Sequence, residues 1–426
     1  MRSYPAGAKA AWNLKSWKPD CSRSPVWMEG KEMRDWNKIY HARLKEFSLY
    51  GKVIDPGRLG RAWVSVRSNR GSGGVDEVSI GTFEKNLEEN LQELHRVLKN
   101  KEYEPQPVRR VLIPKDNGKF RPLGIPTIRD RVVQESLKTV LEPIFEGIFL
   151  PCSHGYRPGK DPHLALRKAR AYIKHGMNWV VDADIEGFFD HVDHKILVDL
   201  LSEQIADGTV LELVESMLRA GVMTGDQFAE TDEGTPQGGV ISPLLANVYL
   251  NHFDRRMGEE GYLIVRYADD FLIFCKSELD ANWALETART ILRDELKLNL
   301  NESKTKIVNM EEDSIEFLGF DFNKGRFNPK KKAVERFKAK IRNGTRRQQP
   351  KNLKMVIDSV NPIIRGWGLY FRNLTRKSLF WNLDQWIRGR LRSFKRKKRT
   401  GIVIRFAIPI AEFRQLGLFS LKSILP

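Results

Sequence analysis

Cysteine is scarce in this sequence, and long apolar runs are missing. The 426 residues include three cysteines, Cys21, Cys152 and Cys275, which lie far apart without paired spacing. This arrangement argues against a disulfide framework and against a cysteine-based zinc site. No apolar run approaches the length that spans a membrane, and the first residues show no basic-then-apolar signal pattern. We therefore expect a soluble, cytoplasmic protein with no membrane partner.

Histidine and acidic residues are depleted from the C-terminal part of the chain. The eight histidines all lie at or before His252, and only four acidic residues follow Asn323. Nuclease metal sites are built from histidine and carboxylate side chains. We therefore expect neither a His-Asn-His endonuclease nor an RNase H domain in this sequence.

Positive charge is abundant where acids are few. The segment from Lys324 to Arg399 contains 25 lysine and arginine residues and only three acidic residues, so its net charge is +22. The whole chain carries +18, so the remainder sums to −4. A generally basic surface is the alternative, but concentrated charge interleaved with aromatic side chains favours a nucleic-acid-binding face. These aromatic residues are Phe327, Phe337, Trp367, Tyr370, Phe371, Trp381 and Trp386.

Hydrophobic periodicity predicts both helices and strands along the chain. Two strand runs, Val108–Lys115 and Lys119–Pro126, flank an Asn-Gly turn and predict a β-hairpin. The glycine-rich segment Asn69–Gly74 is either a loop that approaches a phosphate or a flexible connector. Apolar stripes predict helices at 29–50, 80–98, 132–145, 164–174, 195–204, 210–220, 242–251, 283–296, 333–343, 353–373 and 379–398.

Two adjacent carboxylates separate two apolar runs near the middle of the chain. Tyr262–Val265 and Phe271–Phe274 predict strands, so Asp269 and Asp270 lie at the tip of a β-hairpin. Neighbouring aspartates raise each other's pKa, and a bound cation relieves this repulsion. By itself an Asp-Asp pair between strands is more often a polar turn than a metal site, so other motifs decide between the two.

A second group of acids ends a buried strand. The apolar run 179–185 includes Asp182 and Asp184, and strand ends that carry acids are common sites of metal chemistry. Carboxylates from two elements that lie side by side can bridge two divalent ions. We expect this strand to lie beside the Asp-Asp hairpin, where the two groups of acids would form such a site.

Six motifs in a fixed order resemble the reverse transcriptases of group II introns, also called intron maturases. The resemblance extends from about Asn69 to Arg399, and an ordered set is far more specific than any one motif. The six motifs are Lys115 with Arg121, Asp184 with Phe189, Gly-Thr-Pro-Gln-Gly-Gly at 234–239, Tyr-Ala-Asp-Asp at 267–270, Asn-Glu-Ser-Lys at 301–304 and Phe-Leu-Gly-Phe at 317–320.

The resemblance implies an α+β fold of the right-hand polymerase type, with fingers, a palm built on an antiparallel sheet and a helical thumb. The implied domains are an N-terminal extension at 1–68, fingers at 69–178, the palm at 179–322, a basic helical thumb or X domain at 323–399, and a short C-terminal segment at 400–426.

The family pattern implies three catalytic and metal-binding carboxylates, Asp184, Asp269 and Asp270. It also places the backbone carbonyl of Ile185 near a metal ion. Asp182 competes with Asp184, and the pattern favours Asp184 because an aromatic residue follows it five positions later.

The same pattern implies five nucleotide-binding residues. Lys115 and Arg121 would grip the triphosphate, and Phe189 matches the aromatic ring that screens out a ribose 2′-hydroxyl, with a core role as its alternative. Gln237 matches the residue beside the nascent base pair. Lys304 matches the lysine near the triphosphate, where it could protonate the departing pyrophosphate; a surface lysine is the alternative.

The remaining resemblances concern the primer and the nucleic acid duplex. Leu318 and Gly319 match the turn that holds the primer end. The basic helices match the thumb that clamps the template–primer duplex, and the nucleic-acid-binding residues implied there are Arg365, Arg372, Arg388, Arg390 and Arg392.

The resemblance implies an RNA-directed DNA polymerase that uses two Mg²⁺ ions, with Mn²⁺ as a substitute. Its implied partners are an RNA template, with its own intron RNA as a candidate, a DNA primer or target, and dNTPs. Assistance to intron splicing and retrohoming would accompany this activity. Two alternatives stay open: a free-standing, domesticated enzyme in DNA repair or phage defence, and a mainly RNA-binding splicing factor.

Overall fold

The computed structural model describes residues 45–114, 118, 120–323, 326–397 and 409–425. The chain divides into two compact units, with the boundary between Ile307 and Val308. Within the described ranges no helix has the length and apolar character needed to cross a membrane.

The described part of the first unit contains ten α-helices. Three of them contain proline at the first turn, and several begin at a side-chain cap, such as the Asp193 carboxylate that accepts from the Ile196 amide at 2.9 Å. The helices are α1 (Tyr50–Val53), α2 (Pro56–Ser68), α3 (Ile80–Lys85), α4 (Leu87–Lys99), α5 (Ile128–Glu146), α6 (Pro162–Lys174), α7 (His194–Ser202), α8 (Gly208–Leu218), α9 (Ser242–Glu259) and α10 (Glu278–Thr290).

Two four-stranded sheets accompany these helices. One has the order β2–β1–β4–β5 and the other the order β6–β7–β3–β8. The strands are β1 (Val108–Pro114), β2 (Phe120–Ile125), β3 (Trp179–Asp184), β4 (Val222–Thr224), β5 (Gln227–Ala229), β6 (Leu263–Tyr267), β7 (Asp270–Cys275) and β8 (Lys306–Asn309), the last of which contains the unit boundary.

The strand predictions around the acids are confirmed. Strands β6 and β7 form an antiparallel hairpin, and β3 pairs antiparallel with β7. The predicted hairpin β1–β2 is also present, with Arg121 opposite Ile113. Residues 115–117 and 119 at its tip, which include Lys115, lie outside the described residues.

The single helix predicted at 80–98 is wrong, because the structure has two helices that meet at Asn86. The backbone of Asn86 has φ −119° and ψ 41°, which is not helical. The side-chain amide of Asn90 donates to the Phe83 carbonyl at 2.9 Å, so a side chain takes the place of a backbone donor. Apolar periodicity continues across the break and therefore conceals it.

Residues 45–68, predicted as part of an extension, belong to the core of the first unit. Leu59 and Trp63 on α2 are buried in the same hydrophobic core as Val132 on α5. The Asp207 carboxylate accepts from the backbone amides of Leu49 and Tyr50 at 2.7 and 2.8 Å. This part of the chain is therefore integral to the unit. Of the helix predicted at 29–50, residues 29–44 lie outside the described residues, and residues 45–49 are not helical.

The glycine-rich loop 69–74 is packed closely against β1 and the start of α5. The carbonyl of Gly73 accepts from the Arg109 guanidinium at 2.7 Å, and that of Ser72 accepts from Arg131. A Cβ atom on Gly74 would lie 2.7 Å from the backbone of Thr127. The structure thus accounts for these glycines by close packing.

The second unit combines a small sheet with basic helices. Its sheet has the order β11–β10–β9, and the predicted helices at 333–343, 353–373 and 379–398 are confirmed with shifted ends. The elements are β9 (Ser314–Phe317), β10 (Phe320–Asn323), β11 (Arg326–Pro329), α11 (Lys331–Gly344), α12 (Leu353–Phe371), α13 (Lys377–Arg396) and α14 (Ile410–Gln415).

The small sheet packs on the helices that follow it, so the palm boundary predicted at 322 differs from the division of the structure. The ring of Phe320 lies 5.7 Å from Tyr370 and 4.9 Å from Phe371. These aromatic contacts join the strands to α12. The unit therefore begins before the predicted thumb.

The C-terminal segment 409–425 also packs on these helices, although the sequence predicts a separate piece. Asp384 on α13 is buried and accepts bonds from the Ser420 hydroxyl at 2.6 Å and from the backbone amides of Leu421 and Lys422 at 2.9 and 3.1 Å. One buried carboxylate thus fixes the last turn of the described chain.

Candidate active site

Two of the three predicted carboxylates meet across neighbouring strands. Asp184 is the last residue of β3, and Asp270 is the first residue of β7 directly opposite it. Their carboxyl groups are close enough to hydrogen-bond. Asp269 occupies the two-residue turn between β6 and β7, beside both of them. Strand pairing thus unites acids that are far apart in the sequence.

The proximity of these acids raises their pKa values. Partial burial of the Asp270 carboxyl, its hydrogen bond with Asp184 and the charge of Asp269 raise the pKa of Asp270 to about 7. Partial burial and Asp184 also raise the pKa of Asp269, while Arg121 and Lys304 oppose the rise. The cluster holds more negative charge than its surroundings neutralise.

Lys304 contacts the site directly. Its ammonium lies 2.5 Å from the Asp184 carboxylate, and the Asn301 amide donates to the Asp184 carbonyl at 2.8 Å. Burial would lower the pKa of Lys304, but the bond to Asp184 outweighs burial and raises it. The competitor Asp182 lies opposite Leu272, with Lys306 at 3.9 Å. Asp184 is therefore the strand acid that faces the hairpin acids.

Strand β2 contributes Arg121 to this cluster. Arg121 is exposed on β2, and its charge lowers the pKa of Asp269 against the effect of burial. Tyr156, for which the sequence predicted no role, is near enough to both charges to be affected by them: burial and Asp269 raise the pKa of its hydroxyl, and Arg121 opposes the rise. The signal that could have found it is its place in the Ser-His-Gly-Tyr-Arg-Pro-Gly interruption between two helices.

Phe189 and Gln237 are joined by the glycine-rich loop 234–239. The Thr235 amide donates to the Phe189 carbonyl at 2.7 Å, and the Gln237 carbonyl accepts from the Gly124 amide at 2.7 Å. The Phe189 ring is half-buried, packs edge-on against Phe188 and lines a cavity of about 310 Å³. The loop therefore connects the segment after β3 to the fingers strand β2.

A buried arginine supports the Asp-Asp turn. Arg266 is 0% exposed, and its guanidinium binds the Asp254 carboxylate through two bonds of 2.8 and 2.6 Å. Burial would lower the pKa of Arg266, but the charge of Asp254 outweighs it. Sequence reasoning gave Arg266 no role. The sequence feature that could have found it is a charged residue within an apolar strand, because a charged side chain that is buried there requires a partner of opposite charge.

The donor set fits hard divalent cations. Carboxylate and carbonyl oxygens are the ligands that Mg²⁺ and Mn²⁺ prefer, and the clustered acids with raised pKa values are the groups that such ions would neutralise. In the part of the chain that the structure describes, no three His, Cys, Asp or Glu side chains are grouped so that they could hold a metal ion as they stand. Lys304 is the cation that contacts Asp184 in this conformation.

The remaining predicted residues belong to the second unit. Leu318 and Gly319 form the turn between β9 and β10, with φ of +48° and +79°, and Tyr370 donates to the Leu318 carbonyl at 2.8 Å. A leucine at positive φ is uncommon and is held there by its surroundings.

The predicted arginines fall into three groups. Arg372 is exposed and Arg388 is half-buried, so both can reach a ligand. Arg365 lies 5.0 Å over the Phe419 ring, and Arg390 donates to the Thr345 hydroxyl and carbonyl at 3.2 Å. Arg392 is only 8% exposed and lies over Phe413, so the prediction that it contacts nucleic acid is not supported.

Acids at the ends of paired antiparallel strands, with a fingers arginine and a glycine-rich loop beside them, are the arrangement of a nucleic acid polymerase palm. A reverse transcriptase (RNA-dependent DNA polymerase) family model matches residues 113–322, and the group II intron maturase-specific domain matches residues 334–402. The chain belongs to the group II intron-type reverse transcriptase family.

Several curated proteins are similar to this chain. Group II intron-encoded protein LtrA of Lactococcus lactis is 32% identical over 341 residues, which are 64% of this chain and 56% of that protein. Protein YkfC of Escherichia coli is 35% identical over 285 residues, or 58% of this chain and 74% of that protein. Nuclear intron maturase 1 of Arabidopsis thaliana is 40% identical over 184 residues, or 31% of this chain and 26% of that protein. The chain thus spans little more than half the length of LtrA.

Proposed function

We propose that this protein is an RNA-directed DNA polymerase that extends a DNA primer on an RNA template. The observation that carries the proposal is the meeting of Asp184 and Asp270 across β3 and β7, with Asp269 beside them. The family match to residues 113–322 supports RNA as the template and DNA as the product.

Asp184, Asp269, Asp270 and the carbonyl of Ile185 would hold two Mg²⁺ ions. Such ions activate a primer 3′-hydroxyl and neutralise the triphosphate. The exposed Arg121 and the 60% exposed Lys304 supply positive charge on the same side as the acids, which suits a bound triphosphate. Lys304 is also a proton donor suited to the departing pyrophosphate.

The half-buried Phe189 would act on the sugar of the incoming nucleotide. Its backbone is fixed by Thr235, and its ring is supported by Phe188, so the ring cannot easily turn away. A flat apolar ring offers a ribose hydroxyl neither space nor a hydrogen-bond partner. Selection of deoxynucleotides follows.

Primer extension tests the proposal. Purified protein with a DNA primer, an RNA template, Mg²⁺ and dNTPs should extend the primer, and Asp269→Ala should lower the rate by more than about 10³-fold. Asp199→Ala is the matched control, because this aspartate is 66% exposed on α7 and pairs with Lys195. Absence of extension by the wild type, or full activity of Asp269→Ala, would contradict the proposal.

Binding of intron RNA to assist splicing is a second candidate function. The observation that favours it is the maturase-specific domain match at 334–402, which overlaps almost entirely with the basic region 324–399. A splicing assay with the intron RNA flanking the gene would test this function. If no intron RNA domains flank the gene, the free-standing role in repair or phage defence gains support instead.

A further inference from the structure

All five N–H donors of Arg266 have acceptors, although its side chain is fully buried. Two bind Asp254, as described above. The others reach the Asn247 side-chain oxygen at 3.2 Å, the Ser153 hydroxyl at 2.9 Å and the backbone carbonyl of Ala268 at 2.9 Å. A guanidinium presents five donors in one plane, and here each position in that plane is used.

These acceptors come from three separate parts of the first unit. Asp254 and Asn247 lie on α9, Ser153 lies in the loop after α5, and Ala268 follows β6. The same loop is also tied to β6 through its backbone, because the Arg266 amide donates to the Cys152 carbonyl and the His154 amide donates to the Arg266 carbonyl, both at 2.9 Å. Arg266 therefore stands where these elements meet.

Ala268 is the residue whose conformation this network fixes. It is the first residue of the turn, and its φ is +60°, a left-handed conformation that side-chain-bearing residues seldom adopt. The Asn247 amide donates to the Gly155 carbonyl at 2.9 Å, which brings Gly155 against the backbone of Ala268. The turn is thus held from two sides: Arg266 donates a hydrogen bond to the Ala268 carbonyl, and Gly155 packs against the Ala268 nitrogen.

We propose that Arg266 is a positioning residue that orients Asp269 and Asp270 through the Ala268 carbonyl. This inference rests on the proposed polymerase function of the same site. The ion pair with Asp254 keeps the guanidinium charged within the core, while its remaining donors determine the path of the turn. Stability alone does not explain this ion pair, because apolar residues of similar volume often stabilise a protein core as much as a buried ion pair does.

Arg266→Lys separates positioning from stability. Lysine keeps a positive charge for Asp254 but replaces the planar donors with one ammonium, so Ala268 loses its donor. We expect a folded protein whose Kd for Mn²⁺, measured by titration of the free protein, rises about 10- to 100-fold. The kcat of primer extension should fall by a similar factor, while the KM for dNTP changes less than about threefold.

Gly155→Ala tests the same turn without altering any ion pair. A methyl group at this position would collide with the Ala268 nitrogen, so the turn must shift. We expect the same loss of Mn²⁺ affinity and kcat. Asp130→Asn is the control for lost stability, because Asp130 is 2% exposed and accepts from Tyr103 and Thr127 away from the turn. Its Mn²⁺ affinity should match the wild type.

The inference is overturned if folded Arg266→Lys or Gly155→Ala binds Mn²⁺ and extends primers as the wild type does. If Arg266→Lys does not fold, Gly155→Ala decides alone. Failure of the proposed function has a different signature: Asp270→Asn would then bind Mn²⁺ as tightly as the wild type, whatever the result for Arg266.

Discussion

The raised pKa of Asp270 links proton binding to metal binding at this site. In the metal-free protein this pKa is about 7, against an ordinary value of 3.8. The folded protein therefore retains a proton that the unfolded chain releases. The resulting stability is present below about pH 4 and is lost as the pH rises through about 7. A metal ion that requires the ionised carboxylate must displace this proton.

We predict that Mn²⁺ affinity increases about tenfold between pH 6 and pH 8, because the ionised fraction of Asp270 grows by that factor. Mn²⁺ titrations of the wild type at the two pH values measure the change. Asp270→Asn should bind more weakly, with less dependence on pH. An affinity of the wild type that is equal at both pH values would show that Asp270 does not titrate in this range.

The Phe189 ring is predicted to select the sugar. Phe189→Ala should reduce discrimination between dNTP and rNTP on the order of 10- to 100-fold, because removal of the ring opens space for a 2′-hydroxyl. Single-nucleotide extension with each triphosphate measures this ratio. Phe47→Ala, at a ring that is 66% exposed, is the matched control. Unchanged discrimination would assign Phe189 to the core alone.

At the scale of the element, the C-terminal segment is attached through one carboxylate on α13. Asp384→Ala should lower the free energy of unfolding by about 2 kcal/mol, because it leaves the amides of Leu421 and Lys422 without their acceptor. Chemical denaturation measures the change. Asp358→Ala, at a carboxylate that is 53% exposed, should change it by less than about 0.5 kcal/mol. Equal effects would contradict this role of Asp384.

At the scale of the whole molecule, charge is divided unevenly, and RNA binding should depend steeply on salt. Each phosphate contact contributes about one unit to the slope of log affinity against log salt. Arg372→Ala should therefore make the slope shallower by about 1, because Arg372 is exposed. Arg392→Ala should leave the slope unchanged and lower stability, because Arg392 is buried against Phe413. Equal slopes for the two variants would refute this distinction.

Much of the architecture could be predicted from local pattern. The apolar runs on both sides of Asp269 and Asp270 predict a hairpin with acids at its tip, and the structure has that hairpin. The basic helices were also predictable, because their period of apolar residues is local. The break at Asn86 was not, because one side-chain bond ended a helix whose periodicity continues.

The sequence by itself determined which acids, cations and loops this protein has and the order in which they occur, because strand alternation and turn chemistry act over a few residues. Only the tertiary structure decided which of them meet. The pairing of β3 with β7 places Asp184 opposite Asp270 and leaves Asp182 beside Lys306. The acceptors of Arg266 lie up to 113 residues away in the chain, and such contacts depend on packing between elements.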